Sequence, residues 1–136
     1  MQPNQIDLEV DVDNTGSGAI LTPKVFLRFR PHANRSEYVA ETHSLSLRDT
    51  LGLYRTQPKQ NKDFRGVAKS AIKITQDFRV EGVDTTTVNI APGIVDVGFS
   101  FPIGMTPAQT REMRMRVVAL LLSDTVMVPL TDQLLV

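Results

Sequence analysis

The chain opens on a strict alternation of apolar and acidic residues, Ile6-Asp7-Leu8-Glu9-Val10-Asp11-Val12-Asp13. Side chains repeat every two residues along a strand, so this pattern predicts a strand with one buried face. The turn-forming cluster Asn14-Thr15-Gly16-Ser17-Gly18 follows, then an apolar segment over 20–29 that contains Pro23. Proline donates no ladder hydrogen bond, so it marks an edge strand or a bulge. Lys24 and Arg28 in this segment predict a hairpin with the acidic strand, with opposite charges sharing one face. Residues 31–35 read as loop and 38–42 as a short strand.

A longer run covers 44–56. Leu45, Leu47, Leu51 and Leu53 fall on one side; Ser44, Ser46, Arg48, Thr50, Tyr54 and Thr56 fall on the other. The polar stretch QPKQNKD (57–63) predicts a turn, and 64–80 the returning strand of a second hairpin. On that strand Lys69, Lys73, Thr75, Asp77 and Arg79 alternate with Ala68, Ile72, Ile74 and Phe78. Residues 81–93 are polar, threonine-rich and contain Ala91-Pro92-Gly93, which predicts a long loop with short strand extensions. Residues 94–103 form another strand, with Val95, Val97, Phe99 and Phe101 on one side and Asp96, Gly98 and Ser100 on the other.

The period then changes. Thr106-Pro107-Ala108-Gln109 places a hydroxyl at the cap, proline at the first helical position and glutamine at the third, the pattern of a capping box. The helix should run to about Leu122. Its second half, from Val117 and Val118 through Leu120, Leu121 and Leu122, is apolar around its whole circumference. Such a helix is covered on more than one side. In so short a chain a partner subunit is the natural second cover, which makes these five residues the candidate dimer interface. Residues 126–136 are apolar but interrupted by Pro129, and suit either a short second helix or an extended tail. Antiparallel strands followed by carboxy-terminal helix define an α+β architecture. One sheet face would lie under helix and the other would be polar, open and partly basic.

The length of 136 residues suits a single domain over 1–136. The 41% apolar and 22% charged residues are those of an ordinary folded protein. There is no cysteine, which excludes disulfides and thiolate metal sites; no metal or cofactor is expected. No apolar run reaches membrane-span length, and MQPNQIDLEV lacks the basic start and apolar core of a signal peptide. The net charge is zero, yet its distribution is uneven. The first 23 residues hold four acidic and no basic residues, whereas residues 24–79 hold twelve basic and five acidic. This basic middle supplies an electrostatic footprint for phosphate, or simply an uneven solvated surface. His32 and His43 lie near Glu37 and Glu41 in sequence, a combination general acid–base chemistry uses. Without a phosphate loop, a His-x-x-x-His pair or a nucleophile motif they read as surface histidines, and the chain as no enzyme.

The layout, and above all RGVAKSAIKITQDFRV (65–80), APGIVDVGFSFPIG (91–104) and TPAQTREMRMRVVALLLSD (106–124), resembles the levivirus coat proteins, the capsid subunits of single-stranded RNA phages. The resemblance covers almost the whole chain. It implies an antiparallel meander with an N-terminal hairpin and C-terminal helices. It also implies an interlocked homodimer in which each subunit's helices cross the other's sheet and the two sheets join. Such dimers would assemble in the bacterial host cytoplasm into the icosahedral shell of a virion. The loop over 81–93 would surround the symmetry axes. The free sheet face would line the interior and bind an RNA hairpin through Ser46, Arg48, Lys69, Lys73 and Thr75. Some relatives carry a base-stacking tyrosine on the last strand; here that strand has Ile94, Asp96, Gly98 and Ser100. The blander reading of Lys69 and Lys73 is a solvated strand face. Arg111, Arg114 and Arg116 read as the solvated side of the helix start, and Tyr54 as a packing residue. A dimeric RNA-binding regulator that forms no shell is the alternative function.

Overall fold

The computed structural model describes residues 2–11 and 21–135. The predicted turn at 14–18, with Val12, Asp13 and Ile20, lies outside the described residues. Six strands are followed by two helices: β1 Gln5–Asp11, β2 Leu21–Pro31, β3 Arg35–Ala40, β4 Asp49–Thr56, β5 Val67–Glu81, β6 Val88–Pro102, α1 Pro107–Leu121 and α2 Asp124–Asp132. The strands form one sheet in chain order, and the ladders from β1 to β5 are antiparallel. This is the expected α+β meander with C-terminal helices. The chain divides into two compact units, Met1–Gln57 with Ala68–Ser100, and Pro58–Val67 with Phe101–Val136.

In the first unit, register decides which side chains share a face. Phe26 pairs with Ala40, and Tyr38 with Leu51. These four residues are the buried core, with Ile6, Leu53 and Ile74 packed against them. Tyr38 is fully covered, and its hydroxyl donates to the Pro3 carbonyl at 2.8 Å, which ties down the amino-terminal segment. A buried phenol needs such a partner.

The same registers correct four expectations. Lys24 stands opposite Leu8, while Asp7 and Glu9 stand opposite Val25 and Pro23. Directly paired residues share a face, so the acidic and basic charges of the hairpin lie on opposite faces. Pro31 and Arg35 belong to strands, which shortens the loop between β2 and β3 to 32–34. β4 begins at Asp49 rather than at 44. Upstream, Ser44 N–H donates to the Leu47 carbonyl at 2.8 Å and Ser44 Oγ accepts from Leu47 N–H at 3.0 Å. That local turn competes successfully with ladder pairing. It takes Ser46 off the strand and leaves Leu45 fully exposed. Finally, β6 starts at Val88, so the loop between β5 and β6 is only 82–87. Pro92 is accommodated because β6 is an edge strand.

The second unit is built from local signals that the sequence carries openly. Asn61 Oδ1 accepts from the Asp63 and Phe64 amides, forming the polar turn. Gly66 has a φ of +92°, and its carbonyl accepts from Ile103 N–H at 3.0 Å; a side chain is strained in that backbone region. At the start of α1, Thr106 Oγ1 accepts from Gln109 N–H and Gln109 Oε1 accepts from Thr106 N–H, completing the predicted capping box. Residues 124–132 form a second helix despite Pro129, resolving the two alternatives for the carboxy-terminal segment. No helix among the described residues is long and apolar enough to cross a membrane.

Candidate nucleic-acid interface

The sheet face opposite the core is assembled in cross-strand rows. Val39, Thr50 and Thr75 form one row; Glu37, Gly52 and Lys73 the next; Arg35, Tyr54 and Ala71 the third; Thr56 and Lys69 the last. Lys69, Lys73 and Thr75 therefore come together on one face, as strand alternation requires. Lys69 is exposed, and Lys73 and Thr75 are half-buried. Neither lysine forms an ion pair among the described residues. Three hydroxyl residues, Thr50, Thr56 and Thr75, share this surface.

Arg48 extends the face beyond the end of β4, but its charge is engaged. Its Nε donates to Asp77 Oδ2 at 3.0 Å and its Nη2 to Asp77 Oδ1 at 3.1 Å. This forked pair holds the Asp77 carboxyl below the usual carboxylate range, the Arg48 hydrogen bond being the largest cause, and raises the Arg48 guanidinium above its usual value. Ser46 precedes β4 and pairs with no neighbouring strand; its hydroxyl lies 3.2 Å from Ser44 Oγ within the turn.

Tyr54 lies on the polar side of β4, as its alternation with the leucines requires. It does pack, but on this polar face and not in the core. Its ring lies along β4 over Gly52: a Cβ at position 52 would sit 2.5 Å from Tyr54 Cε2 and 2.7 Å from its Oη. The signal was present as Gly-x-Tyr within a strand, where the missing side chain leaves room for the ring. Beside it is a depression of about 360 Å³ lined by Tyr54, Thr56, Lys69, Ala71, Gly98 and Ser100, among others.

Arg55 of β4 and Arg28 of β2 serve the fold. Arg55 donates from Nη2 to the Ala33 carbonyl at 2.7 Å, and Arg28 from Nη2 to the Gln2 carbonyl at 2.9 Å. The histidines also have structural partners. His43 Nδ1 accepts from the Asp49 amide at 3.1 Å, and His32 Nε2 lies 3.5 Å from Arg35 Nη2. No three His, Cys, Asp or Glu side chains gather as a metal-binding group among the described residues.

The apolar stretch of α1 is open in the single chain. Val117 is half-buried, while Val118, Leu120, Leu121 and Leu122 are 45–67% exposed. On the core face of the sheet, Ile72, Phe78 and Val80 remain similarly exposed. Isolated exposed apolar residues are ordinary, but contiguous sets mark interaction surfaces.

No protein-family model matches this sequence, and no curated protein does. Solved structures do match. The subunit in the virus-like particle of bacteriophage AVE019 superimposes with a TM-score of 0.76 at 15% identity, over 95% of this chain and 94% of that one. The subunit of the bacteriophage ESE058 virus-like particle gives 0.71 at 11% identity, over 99% and 98%. That of Beihai levi-like virus 32 gives 0.66 at 20% identity, over 75% and 78%. The fold is thus that of levi-like phage coat proteins.

Proposed function

We propose that this chain is the capsid subunit of a single-stranded RNA phage, a structural protein and not an enzyme. The observation that carries the reading is the fold match over almost the full length of both chains. Dimerisation is supported by the exposed apolar residues of α1 and by β6. That strand of 15 residues lies at the sheet edge, and a long unpaired edge is a template for pairing with another chain. A second copy would join its β6 there and lay its helices on the apolar sheet face, making one domain of all 136 residues. Shells of such dimers would form the virion in the bacterial cytoplasm. The opposite face, with Lys69, Lys73 and Thr75, would meet the RNA: lysines on phosphates, hydroxyls on phosphates or base edges.

The test is purification of the full chain followed by size-exclusion chromatography and electron microscopy. Closed particles of megadalton mass are expected. A dimer that never assembles, at any salt or RNA concentration, would favour a regulator, and a monomer would overturn the reading altogether.

A further inference from the structure

We propose that Tyr54 is a stacking platform for one unpaired RNA base, with Lys69 and Lys73 holding the flanking phosphates. This deepens the reading of the polar face as an RNA surface and rests on it. Three observations carry it. First, Tyr54 lies on the face opposite the Phe26–Tyr38–Leu51 core, where burial of an aromatic ring does not serve that core. Second, the ring lies over Gly52 of its own strand. Gly52 at two residues' distance has no side chain, and the ring occupies the space a Cβ would fill. Tyr54 is only half-buried, and a ring braced against its own strand loses little freedom on binding. Third, its surroundings suit a nucleotide. Ala71 stands directly across from Tyr54, and Lys69 and Lys73 are the next residues on the same face of β5, one on each side.

The depression beside the ring is lined by Tyr54, Thr56, Lys69, Ala71, Gly98 and Ser100, among others. Its volume of about 360 Å³ lies at the low end of small-molecule pockets, roughly 300–1,000 Å³. Lys69 and Lys73 are four residues apart, about 13 Å along the strand, so a nucleotide can span the interval with its base over the ring. Aromatic platforms beside basic residues bind single-stranded nucleic acid with little sequence preference, because every base has a π-face. Stacking on the ring is open to every base, so tolerance of all four bases follows.

The experiment uses the assembled or dimeric full chain with three probes: an oligouridylate, an oligoadenylate, and an abasic ribose-phosphate oligomer of the same length. The protein has two tyrosines and no tryptophan, and Tyr38 is fully buried, so quenching by a stacked base reports Tyr54 over a constant Tyr38 background, which Tyr54→Phe measures. Base-bearing probes should quench it and the abasic probe should not. Tyr54→Ala should weaken both base-bearing probes roughly tenfold and bring them level with the abasic one. Tyr54→Phe, which keeps the ring, should bind as the parent does. Affinity unchanged in a folded Tyr54→Ala protein would overturn the platform while Lys69 and Lys73 still bind backbone. Failure of the parent to bind any of the three probes would overturn the RNA reading together with the platform.

Discussion

Arg48 and Asp77 face one another just beyond the first β4–β5 pair, and Asp77 is held at three points by this single residue. The Arg48 backbone amide donates to Oδ2 at 2.9 Å, its Nε to Oδ2 at 3.0 Å and its Nη2 to Oδ1 at 3.1 Å. The Asp77 amide in turn donates to the Arg48 carbonyl at 2.8 Å. The pair closes the ladder where the Ser44 turn interrupts it. The Asp77 side chain is only 8% exposed, that of Arg48 56%.

Arg48→Ala should therefore change folding more than RNA binding. Because its charge is already compensated, RNA affinity and its salt slope should stay within experimental error of the parent, while the thermal midpoint drops. The acid response gives the sign. A carboxyl held below its usual value stabilises the fold above the ordinary carboxylate value, about 3.8, and that stability is lost as pH falls through the lower folded value. Urea denaturation from pH 7 to pH 2 should show the parent losing stability mainly below this point, with a smaller loss in Asp77→Asn. An RNA salt slope clearly flattened by Arg48→Ala would return this residue to the binding surface.

Lys69→Ala with Lys73→Ala should act in the opposite way. Both side chains point away from the core, so circular dichroism should stay unchanged. Two lost phosphate contacts on single-stranded RNA should flatten the plot of log affinity against log salt by about 1.4. Filter binding across a salt series measures it. An unchanged slope in a folded double variant would shift the binding surface elsewhere, with Arg111, Arg114 and Arg116 next to examine.

Leu121→Asp tests the subunit interface. Leu121 is 48% exposed in the single chain, so an isolated chain would tolerate the change with little cost. In the proposed dimer it buries an unpaired charge, costing several kcal/mol, on the order of the penalty for burying any unsatisfied polar group. Analytical ultracentrifugation should show loss of the dimer and of particles. Normal dimers would argue that α1 lies outside the interface.

Asp84 is the point of leverage on the loop between β5 and β6. Its Oδ1 accepts from the Thr87 amide at 2.9 Å and its Oδ2 from the Thr87 hydroxyl at 2.7 Å, and Thr85 adopts a φ of +58°. These bonds hold the Asp84 carboxyl below its usual range and fix one compact turn. Asp84→Ala should leave the dimer intact and broaden the distribution of particle sizes, as seen by electron microscopy, if this loop makes contacts around the shell axes. Particles identical to the parent's would remove the loop from assembly.

The sequence by itself determined what depends on near neighbours. The alternation from Ile6 to Asp11, the Asn61 turn and the Thr106–Gln109 capping box are each settled within a few residues, and each formed where expected. Lys69, Lys73 and Thr75 shared a face because strand geometry alone requires it. What tertiary structure decided was register and competition. Whether Lys24 met Asp7 or Leu8 depended on a one-residue choice of pairing, which inverts every face of a strand. The start of β4 depended on whether Ser44 bonded its own turn or the neighbouring strand. The destination of Arg48 depended on Asp77, 29 residues away, which no local pattern announces. Alternation already placed Tyr54 on the side opposite Leu51; what the cross-strand pairing decided was its partner, Ala71, which sets its ring between Lys69 and Lys73.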